Sequence, residues 1–205
     1  MGRNKLDLRE PGNVGKSLLF AIAIVVVGGC AMNAYMDPTL PKVSYSDVAP
    51  KINRGALYLS VEFLTHGKPN PKATEHVSEK IKKVLLASQW YSAVSSVRET
   101  SMDSLVVVMD NIGNTAKAGG EGAVTGLTLG LAGSLVTDEY IFSATFVPLG
   151  KESVKREYRH AIHTTIGVRE GPPGLQPMSL EAAIDKLVED LVLSLLRDLS
   201  KGEHL

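Results

Sequence analysis

Several short stretches of the chain alternate apolar and polar side chains with a period of two, which is the pattern of a half-buried β-strand. Residues 57–64 show it most clearly, with Leu57, Leu59, Val61 and Phe63 on one face. We also predict strands over residues 90–97, 105–109, 139–147 and 155–166. Residues 105–109 are apolar on both faces, as expected of a central strand. The last two strands form a predicted hairpin that turns at residues 148–151.

Two other stretches follow the 3.6-residue period of an amphipathic helix. The first is predicted to have Asn70 as its cap and Pro71 in its first turn. Its apolar positions are Val77, Ile81, Val84 and Leu85. The second is capped by Ser179 and runs over residues 179–200. This order of elements predicts an α+β fold: an antiparallel or mixed sheet of about five strands with two helices packed on one face. We expect a single domain over residues 56–201 and a tail over 202–205.

The first thirty residues have the features of an export signal. Lys16 places a positive charge directly before residues 17–27, an apolar run of eleven residues. Such a run lies within the range of signal peptides and is too short to cross a bilayer as a helix. Gly28 and Gly29 follow, and then Cys30, the single cysteine of the chain. A single cysteine excludes an intramolecular disulfide and a thiolate metal cluster.

The sequence Val27-Gly28-Gly29-Cys30 resembles the lipobox of bacterial lipoproteins. The resemblance implies that residues 1–29 are a signal peptide, that cleavage occurs between Gly29 and Cys30, and that the Cys30 thiol is lipidated. It also implies attachment to a membrane of the cell envelope through acyl chains. Ala31 follows the cysteine, where retention signals for the inner membrane usually place Asp. By analogy, we expect the outer membrane and its periplasmic face.

The beginning of the chain also offers a competing interpretation. The sequence Gly12-Asn13-Val14-Gly15-Lys16-Ser17 resembles the end of a phosphate-binding loop. That motif requires a glycine at position 10, preceded by a strand. Position 10 is Glu10, whose carboxylate would repel phosphate, and residues 2–9 form no buried strand. We therefore favour the export signal. Translation from Val14 through an alternative start codon would give a leader of more ordinary length, and the sequence leaves that choice open.

Cleavage before Cys30 would leave 176 residues, which suits one domain with a sizeable core. Residues 30–55 contain Asp37-Pro38, Leu40-Pro41 and Ala49-Pro50 and little periodicity, which predicts an extended tether from the lipid to the domain. The leader contains four basic and two acidic residues, so the 22 of each sign become 18 and 20, a net charge of −2. Such a body has no concentrated basic face for nucleic acid. Membrane attachment should therefore come from the acyl chains.

The histidines and carboxylates form no recognisable catalytic or metal-binding pattern. His160 and His163 are three residues apart on a predicted strand, where side chains point to opposite faces, so they cannot share one metal ion. The chain has no G-x-S-x-G sequence. The adjacent acids Asp138-Glu139 and Glu189-Asp190 point apart rather than across a scissile bond. We expect no cofactor, no metal and no enzymatic activity; an envelope hydrolase with an unrecognised site is the alternative.

Residues 122–136 contain no charged side chain, and Gly122, Gly126 and Gly130 recur at every fourth position. On a helix this spacing forms a groove that permits close backbone approach. Such a helix would be about 22 Å long, shorter than the hydrocarbon core of about 30 Å. We favour a buried crossover packed on the sheet. A helix that assembles with its copies, or a hairpin that adds strands to an oligomer, is the alternative and would make these glycines assembly contacts.

The body of the chain has two further recognisable features. They are Tyr158-Arg159-His160-Ala161, on a long predicted strand, and the terminal amphipathic helix over residues 179–200. In this arrangement the chain resembles small outer-membrane lipoproteins that assist lipid or lipopolysaccharide transport. The likeness is one of architecture and transfers no site residues. It implies a binding or accessory component of envelope assembly or lipid transport, with a protein or lipid partner. The alternative is a structural oligomer that assembles or inserts into the membrane through residues 122–136.

Overall fold

The structure is a computed structural model that describes residues 32–39, 42–48, 54–113 and 133–202. Its strands are β1 (Asn33–Met36), β2 (Ala56–Thr65), β3 (Lys68–Pro69), β4 (Ala93–Ser95), β5 (Asp103–Asn111), β6 (Ser134–Val147) and β7 (Val154–Ile166). Its helices are α1 (Pro71–Ala87) and α2 (Leu180–Lys201), and a short 3₁₀ helix spans Tyr45–Val48. The fold is α+β, as the sequence predicts.

The described strands form one mixed sheet in the order β1-β7-β6-β5-β2-β3, and β4 also pairs with β2. β2 and β5 are parallel and are connected through α1, whereas β5, β6, β7 and β1 pair antiparallel. One edge of β2 pairs with β5. The other edge of β2 is shared by β3 and β4. The longest pairing joins β6 to β7, from Ser134 opposite Ile166 to Phe146 opposite Val154.

The prediction of about five strands is too low, because the described sheet has seven. The strands that the sequence did not reveal are β1, of four residues, and β3, of two. A prediction depends on alternation over 4–8 residues; β3 is shorter than this range and β1 only reaches its lower limit. The strand predicted over residues 90–97 is confined to Ala93–Ser95. Trp90 and Tyr91 are buried in the core instead of continuing it.

The long predicted elements are confirmed. β2, β5, β6 and β7 contain the predicted ranges and extend them by a few residues. The side chain of Asn70 accepts a hydrogen bond from the Ala73 backbone N at 3.1 Å and caps α1. Ser179 caps α2 in the same way, through a 3.1 Å bond from Ala182 N. Capping residues of this kind satisfy backbone N–H groups that a helix leaves without partners.

The core lies between one face of the sheet and the two helices. The register places Leu59, Leu105 and Phe146 side by side on β2, β5 and β6, and all three are buried. The buried positions of α1 and α2 belong to the same hydrophobic cluster. Both helices therefore pack on one face, as predicted. We call the opposite face the open face; on it Val106 of β5 is 37% exposed.

Residues before 56, the predicted start of the domain, already form part of the fold. β1 pairs with β7 along its whole length. Ala34 exchanges two backbone hydrogen bonds with Met178, both of 2.9 Å. Val43 and Val48, around the 3₁₀ helix that contacts α2, are buried in the core. These residues belong to the folded body, in a region where the sequence predicts a tether.

Asp103 connects three irregular segments of the chain. Its buried carboxylate accepts hydrogen bonds from Arg54 Nε at 2.7 Å, from Leu149 N at 2.7 Å and from the Tyr91 hydroxyl at 3.2 Å. Arg54 lies before β2, Tyr91 lies before β4, and Leu149 lies in the turn between β6 and β7. Burial and the charge of Asp103 raise the pKa of Tyr91, so its hydroxyl remains protonated and able to donate.

We expect Asp103→Ala to lower the free energy of unfolding by about 3 kcal/mol, because removing one partner leaves a partly buried guanidinium without its counter-charge. Urea denaturation followed by circular dichroism measures the change. Asp185→Ala is the matched control, since Asp185 pairs with Lys80 at a more exposed position. Exposed pairs contribute about 1 kcal/mol or less. Equal destabilisation of the two variants would contradict the anchoring role of Asp103.

Candidate functional site

The residues that the sequence marks as functional lie outside the described part of the chain. These are Gly29 and Cys30 at the predicted cleavage and lipidation site, and Gly122, Gly126 and Gly130 in the glycine-rich segment. The described residues include the neighbours of both features. Met32 is two positions after Cys30. Gly113 and Gly133 flank residues 114–132, which contain the three glycines and which we call the glycine-rich segment. These neighbours show where in the fold the two features are attached.

The first described residues and the end of the glycine-rich segment meet at one corner of the sheet. Asn33 pairs with Thr165, and Thr165 pairs on its other side with Leu135. Adjacent strands lie about 4.8 Å apart, which puts Asn33 and Leu135 about 10 Å from each other. We call this region the β1 corner and define it as residues 32–34, 133–136, 164–170 and 178–180. Two features that are far apart in the sequence therefore have neighbouring attachment points.

Close backbone contacts fix the geometry of the β1 corner. Gly133 has a φ of +68°, and a Cβ atom on it would lie 2.6 Å from the backbone N of Arg169. Glycine permits both this left-handed conformation and this close approach. The paired backbone bonds between Ala34 and Met178 attach the segment that leads into α2. The four segments of the corner are thus held in a fixed arrangement.

A cleft of about 210 Å³ lies beside the corner on the open face. Its polar lining residues include Asp37, Thr39, Thr137, Glu139 and Arg159. Asp37 comes directly after β1, and Thr137 and Glu139 lie on the part of β6 nearest the corner. The cleft combines titratable and hydroxyl groups, which are the components of hydrolytic sites.

His163 connects Thr137 to Asp37 at this cleft. Thr137 Oγ1 is 2.9 Å from His163 Nδ1, and His163 Nε2 is 3.1 Å from Asp37 Oδ2. Thr137 and His163 are directly opposite each other on β6 and β7. Burial acts to raise the pKa of Asp37, but hydrogen bonds from Thr39 and His163 outweigh it and lower that pKa below its ordinary 3.8. Asp37 is therefore ionised at neutral pH.

The order hydroxyl, imidazole, carboxylate is that of hydrolytic triads. Such a centre also needs hydrogen-bond donors directed at the developing oxyanion. The cleft next to Thr137 instead contains the carboxylates of Asp37 and Glu139, whose negative charge would raise the energy of an oxyanion. Its cationic side chain, Arg159, points to Glu157 at 3.6 Å. The arrangement is well suited to a structural task, because it fastens the segment after β1 to the sheet.

His160 lies on the opposite face of β7 from His163, as the sequence predicts. It is 5% exposed, and its Nδ1 has no hydrogen-bond partner within the described residues. Burial lowers its pKa, and the charge of Asp190 on α2 opposes that change only in part. The imidazole is therefore neutral at pH 7 and behaves as a core residue.

The remaining described histidines lie at the surface. His66 Nδ1 is 3.1 Å from the backbone oxygen of Ile112, and His76 is 3.4 Å from Asp185. Over the described ranges, no three His, Cys, Asp or Glu side chains come together in a way that could hold a metal ion. Within the same ranges neither helix combines the length and the apolar character needed to cross a membrane.

No protein-family model matches the chain, and no curated protein matches its sequence. Among solved structures it is similar to the rare lipoprotein B of Shewanella oneidensis, with 11% identity and a TM-score of 0.40, over 72% of this chain and 96% of that one. It is similar to the PelC dodecamer of Paraburkholderia phytofirmans, with 10% identity and a TM-score of 0.38, over 80% and 96% of the two chains. A minor lipoprotein of Acinetobacter baumannii has 11% identity and a TM-score of 0.34, over 72% and 93%. All three scores are below 0.5, so we infer the function from the residues of this chain.

The buried His160 predicts a loss of stability at mildly acidic pH. Its pKa in the folded protein is below the ordinary 6.5, so the unfolded chain binds a proton more readily and stability falls as the pH drops below about 6.5. We expect the Tm of wild type to fall more between about pH 7.5 and 5.5 than that of His160→Gln, which has no imidazole to titrate. Carboxylates of lowered pKa, such as Asp37, titrate below this window.

His76→Gln is the control for this measurement, because His76 lies at the surface of α1. It should keep the pH dependence of wild type. Scanning calorimetry at several pH values gives all three Tm profiles. Parallel profiles for wild type and His160→Gln would show that the buried imidazole does not cause the loss.

Proposed function

We propose that this chain is a non-enzymatic lipoprotein of the bacterial cell envelope, which acts as a binding or accessory component of envelope assembly or lipid transport. The observation that carries the proposal is the apolar run over residues 17–27 that ends in Val27-Gly28-Gly29-Cys30. Cys30 is the residue that would carry the acyl chains. Ala31 favours the outer membrane over the inner membrane, with the domain facing the periplasm.

The beginning of β1 supports an anchor that is close to the domain. Asn33 is three residues after Cys30, and three residues span at most about 11 Å. Acyl chains on Cys30 would therefore hold the sheet near the bilayer instead of at the end of a long tether. A domain held in this way is suited to bind a partner that is itself at the membrane surface.

The open face supplies the surface that we propose for binding. Its central strands include Val106 and Val108 of β5 and Ile141 of β6, all at least partly exposed, and the exposed Glu62 of β2 lies beside Val108. β7 adds a charged margin that contains Lys155 and Glu157. Partly exposed apolar side chains that lie among polar and charged ones are common in protein interaction surfaces. A protein or lipid of the envelope is the partner that fits it.

Labelling of cells with radioactive palmitate tests the anchor. We expect wild type to incorporate label and Cys30→Ala to incorporate none, because alanine has no thiol to carry the acyl group. Gly28→Ala is the matched control: it keeps a small side chain before the cysteine and should still be labelled. Equal labelling of wild type and Cys30→Ala would end the proposal, as would a purified protein that retains residues 1–29.

The regular spacing of Gly122, Gly126 and Gly130 favours a second candidate function, in which the glycine-rich segment mediates assembly of several copies. We expect Gly126→Leu to shift the protein from oligomer to monomer in detergent, since the new side chain would block close backbone approach. Thr128→Leu is the control, because on a helix position 128 faces away from the glycines. Light scattering after size exclusion gives the mass. A monomer for wild type and both variants would rule assembly out.

A further inference from the structure

Four exposed apolar side chains belong to the β1 corner. Met32 is 51% exposed, Val136 42%, Val168 75% and Leu180 39%. Each comes from a different one of the four chain segments that form the corner. The other large apolar side chains that are exposed within the described residues are distributed over the rest of the fold: Tyr45, Leu86, Val97, Val106 and Leu149.

Strand pairing relates two of these side chains, Val136 and Leu180, through β7 and β1. Val136 of β6 and Ala34 of β1 both pair with Thr164, so a single strand separates them. Leu180 comes two residues after Met178, which is hydrogen-bonded to Ala34. The first turn of α2 therefore begins beside the first residues of β1.

The other two side chains extend from the same end of the sheet. Met32 comes one residue before β1, and Val168 comes two residues after the end of β7. The loop that carries Val168 is held against β6 by the close approach of Arg169 to Gly133. All four side chains thus lie at one end of the sheet. At this end β1 and α2 begin and β7 ends.

We propose that the β1 corner rests on the lipid bilayer and that its four apolar side chains enter the interfacial region. The inference rests on the proposed lipidation of Cys30. Met32 follows that residue by two positions, so the two Cα atoms are within about 7 Å. The net charge of −2 gives the body no general attraction to anionic lipid, so contact depends on the acyl chains and on buried apolar surface.

This contact sets the direction in which the domain points. β6 runs from the corner at Ser134 to Val147, where the Asp103-bound turn begins. At about 3.3 Å per residue that distance is about 40 Å. With the corner on the bilayer, the far end of the sheet extends away from the membrane and the open face is free along its length to meet a partner.

Segment 114–132 is the other candidate to cover the four side chains, because it joins the chain at Gly133 within the corner. A lipid surface and a covering segment both remove the apolar side chains from water. Only the lipid brings them within reach of a quencher attached to acyl chains, and this difference is the basis of the test.

The test uses the full lipidated chain, in which the Cys30 thiol is occupied by its lipid. An introduced cysteine is then the single free thiol. Val168→Cys and Val97→Cys are matched positions, both valines and 75% and 68% exposed. Val97 is near the other end of the sheet, next to Arg98, whose guanidinium lies 5.8 Å from the centre of the Tyr58 ring.

Each variant is labelled with a polarity-sensitive fluorophore and reconstituted in vesicles of phosphatidylethanolamine and phosphatidylglycerol that contain nitroxide-labelled acyl chains. We expect the label at residue 168 to be quenched at least about twofold more than the label at residue 97, because only the former would lie in the interfacial region. Wild type, labelled in parallel, should take up no fluorophore.

Equal quenching at the two positions, with an unreactive wild type, would overturn the corner contact and leave the lipoprotein proposal intact. A blue-shifted but unquenched label at residue 168 would also overturn it, in favour of a covering segment. A wild type that reacts through Cys30 would show that the thiol is free, and that result would remove the proposed anchor itself.

Discussion

The antiparallel pairing of β6 with β7 is the constraint on which the other features depend. In a strand the side chains alternate between faces, so a register shift of one residue would move every buried side chain to the opposite face. The observed register puts Phe142 and Phe146 beneath the helices and leaves Ser143 on the open face. In this register β6 extends past the end of β5. The β1 corner lies at this extension, where β7 pairs with β6 on one side and with β1 on the other.

Two carboxylates attach the irregular parts of the chain to this sheet. Asp103 begins β5 and binds three segments from different parts of the sequence. Asp37 follows β1 directly and is hydrogen-bonded to His163 on the adjacent strand β7. An ionised acceptor makes stronger hydrogen bonds than a neutral one. Such bonds can hold irregular segments that lack the regular backbone hydrogen bonds of a helix or a strand. Both carboxylates thus hold chain segments in place.

The parts of the fold that were predictable from the sequence are the long ones. The alternation in β2 and the helical period in α1 each continue over enough residues to specify an element, and Asn70 and Ser179 mark the helix starts by their own side-chain chemistry. β1 and β3 were not predictable, because strands of four and two residues exist only through their partners. Asp37-Pro38 belongs to the predicted tether, and nothing in its sequence indicated that its carboxylate would contact His163.

By itself the sequence determined the order of the long strands and helices, the two helix caps, the opposite orientations of His160 and His163 and the candidate lipidation site at Cys30, because each of these depends on residues that are near one another in the chain. Only the tertiary structure decided that the residues after Cys30 form an edge strand, and that this strand lies beside the end of the glycine-rich segment. The physical reason is that strand pairing joins residues such as Asn33, Thr165 and Leu135, whose contacts arise from backbone hydrogen bonds that no local pattern of side chains specifies.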